Sequence, residues 1–284
     1  MLDMLFVLSQ HLAPQHTLSR LAGKLADCEV PAIKDPFIRW FAKRYEVNLD
    51  EAVHARPEDY RSFNDFFTRA LKDGARPLDG DEQVLASPVD GAISQLGRIE
   101  LGRCFQAKGQ SFSLTELLGG DTQRAAPFND GEFATIYLSP RDYHRIHMPI
   151  TGTLREMIYI PGRLFSVNPV TTEQVPELFA RNERVVAIFD TAWGPMAMVL
   201  VGAMIVASIE TVWSGIVAPV RRQISVQRYD RSAPVELARG AEMGRFRLGS
   251  TVVMLMPKGS LAWRDTAVAG APVRLGQALA DRTN

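Results

Sequence analysis

The chain has 284 residues, 46% apolar and 23% charged, with 32 basic and 32 acidic side chains and a formal net charge of zero. A polyanion binder would show a basic excess, so nucleic acid is not expected as a partner. The length admits one large domain or two small ones and a sizeable core.

Cys28 and Cys104 stand 76 residues apart without a metal-type spacing. They read as two reduced cysteines of a cytosolic protein. Three of the five histidines, His11, His16 and His54, lie in the N-terminal quarter, leaving His144 and His147. Pro140 and Pro149 flank that pair and argue for strand or loop, so no metal site is expected. The start, Met1-Leu2-Asp3-Met4, lacks a positive n-region and a following small-residue cleavage site. The longest apolar run, Met196 to Ile209, has 14 residues. A spanning helix needs about 20, so the run reads as buried strand and the chain is not expected to span a membrane.

In chain order, residues 1 to about 75 read as helical. Leu2, Leu5, Phe6, Leu8 and Leu12 give a short apolar helix stopped near Pro14. Thr17 is the expected cap of a second helix, with Leu18, Leu21 and Leu25 on one stripe. Asp35-Pro36 reads as the N-cap and N1 pair of a third, with Ile33, Phe37, Ile38, Phe41 and Tyr45 near one face and Arg39, Lys43 and Arg44 toward the other. Ser62 is expected to cap a fourth, with Phe63, Phe66, Phe67 and Leu71. The first of these reads as a membrane-surface helix and the last as packed on the core. From Leu85 the texture changes to strands: Ala92–Leu96, 132–138, 153–160, 184–189, 196–209, 222–226 and 250–256. Asp90-Gly91, Pro161-Gly162, Gly194-Pro195 and Lys258-Gly259 punctuate them, and a short helix over Ser113–Leu118 interrupts them. The fold class expected is α+β: N-terminal amphipathic helices over residues 1–75, then a mainly antiparallel β-rich catalytic core over 76–284.

The chemistry centres on Gly249-Ser250-Thr251, which interrupts the alternating segment Phe246–Leu255. Gly249 leaves its carbonyl carbon without Cβ cover, and the Ser250 hydroxyl lies within reach of it. With a general base, Ser250 Oγ could attack that carbonyl and turn the peptide into an ester. A tripeptide of small residues is also how a chain makes a turn or bulge. Asp90 in Ser87-Pro88-Val89-Asp90-Gly91 and the histidines of Tyr143-His144-Arg145-Ile146-His147 supply the remaining members of an activated-serine triad.

These motifs resemble the bacterial phosphatidylserine decarboxylases, self-cleaving proenzymes carrying a pyruvoyl group made from an internal serine. The resemblance runs from about Leu18 to Ala280. It includes Asp90-Gly91 with Ile93-Ser94-Gln95-Leu96-Gly97, the run Tyr137 to Pro149, Phe165-Ser166-Val167-Asn168 and Ala180 to Val185. It closes with Glu242-Met243-Gly244-Arg245-Phe246 before Leu248-Gly249-Ser250-Thr251. The segment Gln227 to Arg239 is short for the family, and no long polar tail follows Asn284.

The resemblance implies serinolysis between Gly249 and Ser250, giving a β chain of residues 1–249 and an α chain of residues 250–284 that stay together as a heterodimer. A dimer of such heterodimers is a further assembly it allows. Ser250 is then first nucleophile and, as pyruvoyl, the electron sink that forms a Schiff base with the amine of phosphatidylserine. The products are phosphatidylethanolamine and carbon dioxide. His147 is implied as the base in maturation, Asp90 as the group that orients it, and His144 as the residue acting on substrate. Tyr137 is a lesser candidate. Arg141, Arg145 and Arg163 are candidates for the phosphate. The place implied is the cytoplasmic side of the cell membrane, bound peripherally, with no metal. A serine hydrolase using Asp90, His147 and Ser250 is a rival reading, although the chain lacks a Gly-x-Ser-x-Gly elbow. A non-catalytic lipid-binding module is another. An uncleaved chain would favour either.

Overall fold

A computed structural model describes residues 10, 14–107, 109–203, 208–218, 223–230, 232–247 and 250–283. Apart from Gln10, the first expected helix lies outside them, as do Leu248, Gly249 and the side chain of Ser250. The class is α+β.

The strand Ser250–Met256 forms with the expected bounds and sits inside a nine-stranded sheet. It is antiparallel to Glu132–Leu138 on one side and Gly194–Gly202 on the other. Val252, Met254 and Met256 pack into one hydrophobic cluster, and Val253 and Leu255 into another. All five are 0–1% exposed. A strand buried on both faces needs an unbroken apolar run, which is what residues 252–256 supply. The run 196–209 is a different case, because it is not one strand. Gly194–Gly202 belongs to the nine-stranded sheet, whereas Ser208–Thr211 pairs with Gly215–Ala218 and Glu242–Arg247 in a four-stranded sheet. Hydropathy is the same on both sides of the change of sheet, so it gives no sign of the break. Among the described residues, the strand expected over 222–226 runs from Ser225 to Arg228.

The helices begin earlier than their expected caps. Helix α1 spans Gln15–Ala26 behind Pro14, whose carbonyl accepts from Thr17 and Leu18 N–H at 3.0 Å each. Helix α2 spans Pro31–Tyr45 with Pro31 in its first turn, so Asp35-Pro36 lies inside it. Pro36 falls in the second turn and withholds the N–H that would bond the Ala32 carbonyl. Helix α3, Phe63–Phe67, is capped as expected: Ser62 Oγ accepts from Asp65 N–H at 3.2 Å. Phe63, Phe66 and Phe67 are buried with Ile38 and Phe41 in a third cluster.

Candidate active site

Two neighbouring strands build the site by changing sheets together. Glu132–Leu138 and Ser250–Met256 are paired in the large sheet, with Leu138 opposite Ser250. Arg145–His147 and Glu242–Arg247 are paired in the small one, and Phe246 N–H donates to His144 O at 3.0 Å. The first chain crosses through a turn tied by Asp142, which accepts from Ser139 N–H at 2.6 Å and Ser139 Oγ at 2.7 Å. The second has Arg247 as the last described residue in the small sheet and Ser250 as the first in the large one. Both histidines therefore lie on the segment 144–147, beside the strand Glu242–Arg247 that precedes Ser250 in the chain.

His147 is fixed at both ring nitrogens. Nδ1 lies 2.7 Å from Gly240 O, and Nε2 lies 3.1 Å from Tyr143 Oη. A carbonyl only accepts, so Nδ1 carries the proton and Nε2 is the basic nitrogen, accepting from the Tyr143 hydroxyl. Gly240 has φ +81°, and a Cβ there would meet Leu78 at 2.6 Å, so this carbonyl is aimed by a conformation that glycine adopts freely. Burial lowers the His147 pKa, against the Gly240 hydrogen bond and the charges of Glu242 and Asp90, which raise it.

The direct Asp90–His147 hydrogen bond of a triad does not form here. Asp90 instead accepts from Arg76 Nε at 2.9 Å and Nη2 at 2.6 Å, and from Leu275 N–H at 2.8 Å. It stays near His147 because His147 N–H donates to Pro88 O at 2.9 Å, two residues before Asp90. Gly91 keeps that loop close to the sheet, since a Cβ there would strike Tyr137 O at 2.3 Å.

His144 is fully buried. Its Nδ1 lies 2.8 Å from Asp142 O, its ring centroid is 3.9 Å from that of Phe67, and its Nε2 has no partner. Burial, reinforced by the nearby Arg69 charge, pushes its pKa down to about 3. It is a neutral imidazole with an unused acceptor. Thr251, beside Ser250, also has a buried hydroxyl without a partner. Burial pushes the half-buried Tyr137 phenol up.

Of the arginines singled out by sequence, Arg145 is engaged by Thr68 O at 2.8 Å and Glu242 at 3.0 Å. Arg163 is exposed, and Arg141 lines a cavity shared with Asp90 and Tyr143. Sequence reasoning did not single out Tyr143, Arg69, Arg76 or Gly240. Only Tyr143, inside the histidine motif, carried a signal. The motif around Asn182 is explained by structure: its side chain holds Phe165 N–H, Phe165 O and Gly202 O at 2.8–3.1 Å, and Gly202 is the other backbone neighbour of Ser250.

The family profile described as Phosphatidylserine decarboxylase matches residues 63–281, and a second, described as PSD, matches residues 5–46. Curated relatives cover almost the whole chain under the name phosphatidylserine decarboxylase proenzyme. One from Hahella chejuensis is 65% identical over 277 residues, 98% of this chain and 93% of its own. One from Bordetella avium is 62% identical, covering 98% and 95%. One from Pseudomonas fluorescens is 62% identical, covering 99% of each.

Proposed function

The chain belongs to the phosphatidylserine decarboxylase family, and from that premise we propose how its own residues carry out maturation and turnover. The enzyme is a carboxy-lyase of phospholipid biosynthesis, made as a proenzyme, that converts phosphatidylserine to phosphatidylethanolamine and carbon dioxide. The observation that carries the residue assignments is the joint passage of two strands from the histidine pair to the Leu138–Ser250 pair.

In maturation, Ser250 Oγ attacks the Gly249 carbonyl carbon, the C–N bond breaks, and an ester with a free amine replaces the peptide. The base is His147, whose Nε2 is the unprotonated nitrogen. The Tyr143 hydroxyl occupies that lone pair, so the serine proton reaches the ring by way of Tyr143. Asp90 contributes through its charge, favouring the imidazolium that forms, while Gly240 fixes the tautomer. Elimination then separates residues 1–249 from 250–284. The two chains remain a heterodimer, because the strand Ser250–Met256 keeps a hydrogen-bonded neighbour on each side and five buried apolar side chains, each worth about 1.5–3 kcal/mol.

In turnover, the pyruvoyl group derived from Ser250 supplies the electron sink that loss of carbon dioxide from an α carbon requires. The unpartnered acceptor of His144, on the segment beside the strand that precedes residue 250, fits a role toward it. His144, its ring oriented by the Nδ1–Asp142 O bond, is the residue that acts on the substrate during decarboxylation. The protein is read as peripheral, with α1 holding this site at the cytoplasmic face of the membrane. Among the described residues no helix is long and apolar enough to cross a membrane. Support comes from α1, which buries Gln15, Ser19, Gly23 and Ala26 while Leu18, Leu21 and Leu25 stand 42–60% exposed. That is the reverse of a helix packed on a core, and Gln15 and His16 fasten it to Leu164 N–H and Gly162 O at 2.9 and 3.1 Å.

Phosphatidylserine vesicles given to the purified protein should yield phosphatidylethanolamine, and phenylhydrazine, which captures ketones, should stop the reaction. Activity that survives phenylhydrazine would contradict the pyruvoyl assignment.

A further inference from the structure

Arg69 follows α3 and is 4% exposed. Its Nη2 donates to Arg141 O at 3.0 Å and Asp142 O at 3.3 Å, which uses both hydrogens of that nitrogen. Nε and Nη1 are buried without a partner, and no carboxylate among the described residues forms an ion pair with it. A buried guanidinium with three idle N–H bonds is costly, and such a charge is expected to be paired when the site is in use.

Arg69 is among the residues lining a cavity of about 510 Å³ with Asp90, Tyr143 and Arg141, beside the groups assigned to maturation, and its idle nitrogens lie within that wall, buried. Four acids line the same cavity. Asp90 and Glu51 are paired with Arg76 at 2.6 and 2.8 Å, Asp142 is tied to Ser139, and Glu46 is exposed at the rim. Arg274 lies 3.7 Å from Glu51. That leaves Arg69 in the wall and the exposed Arg141 as cations without an ion pair among the described residues.

The substrate of the family brings two anionic groups, a carboxylate and a phosphodiester. A cation on the carboxylate would hold the charge that has to leave it, stabilising the ground state more than the transition state. The phosphodiester keeps its charge throughout. We propose that Arg69 binds an oxygen of the substrate's phosphodiester, with Arg141 at the cavity mouth as its partner, and that this contact sets the headgroup relative to residue 250. The proposal rests on the family's reaction, so decarboxylation by the parent enzyme is established first.

The test uses the product, which retains the phosphodiester and has lost the carboxylate. With short-chain phosphatidylserine as substrate and dihexanoylphosphatidylethanolamine as competing ligand, Arg69→Gln should raise both KM and the product inhibition constant about 10- to 100-fold. Its kcat should stay within a few-fold, and Arg69→Lys should recover part of the loss. A rise in KM with an unchanged product inhibition constant would assign Arg69 to the carboxylate and overturn the proposal. So would a variant that binds both lipids as the parent does. If Arg69→Gln fails to fold or to self-cleave, Arg141→Gln decides. Its exposed side chain is dispensable for packing, and it should weaken product binding several-fold; unchanged binding would overturn the proposal.

Discussion

The two histidines, three positions apart in sequence, stand in opposite environments. His144 is pressed against Phe67 of the helical layer, with no exposure and an idle Nε2. His147 is held between the Gly240 carbonyl and the Tyr143 hydroxyl, within reach of the charges of Asp90, Glu242 and Arg145. Dry surroundings refuse a charge outright, whereas hydrogen-bond partners and nearby carboxylates let one form for an instant. One ring is thus suited to take a proton from a hydroxyl during cleavage. The other is suited to carry a proton only while a ligand supplies it.

The largest effect should come from removing the polar side of this contrast. His147→Ala should leave the chain uncleaved on a timescale at which the parent matures completely, and Asp90→Asn should accumulate uncleaved chain as well. Gels of freshly expressed protein give the answer. Tyr143→Phe should slow cleavage about 10- to 100-fold by removing the hydroxyl between serine and imidazole; an unchanged rate would mean the proton reaches His147 without it. Next comes the dry side. His144→Ala should cleave and form the ketone yet decarboxylate about 10²- to 10⁴-fold more slowly. A His144→Ala protein that stays uncleaved, or turns over at the parent rate, would erase the division between the rings.

Acid should expose the same contrast more gently. A histidine with a folded pKa of about 3 and an ordinary value of 6.5 takes its proton in the unfolded chain first. Its contribution to stability is complete above pH 6.5 and is lost as pH falls from there toward 3. The slope is about 1.4 kcal/mol per pH unit. His147, also lowered, adds in the same direction. Denaturant midpoints should therefore fall below pH 6.5 in the parent and fall less steeply in His144→Phe.

The smallest effect is on a parallel contrast, between α3 with its phenylalanines inward and α1 with its leucines outward. Replacing Leu18, Leu21 and Leu25 by Ser should weaken partition onto anionic vesicles about tenfold without altering cleavage. Undiminished vesicle binding would remove α1 from the membrane surface.

The central strand was legible in the sequence because a doubly buried strand needs consecutive apolar residues, and Val252 to Met256 supply them. Ser62 was readable as a cap because its partner, Asp65, is local. What was not legible is long-range. Nothing near Arg76 announces that it takes the Asp90 carboxylate, and nothing near Gly240 says that its carbonyl meets an imidazole 93 residues earlier. The family resemblance implied that Asp90 orients His147, and tertiary contacts gave each a different direct partner. The break in the run 196–209 was hidden for a related reason, since both pieces are buried and only the sheet they join distinguishes them.

The central claim, that Ser250 becomes the reactive end of a new chain, is tested most directly by the intact mass of the purified protein under denaturing conditions. The account predicts two polypeptides, residues 1–249 ending in a free Gly249 carboxylate and residues 250–284 lighter by one ammonia than a serine-ended chain. A single full-length mass after prolonged incubation, or a C-terminal fragment that begins with unmodified serine, would contradict it.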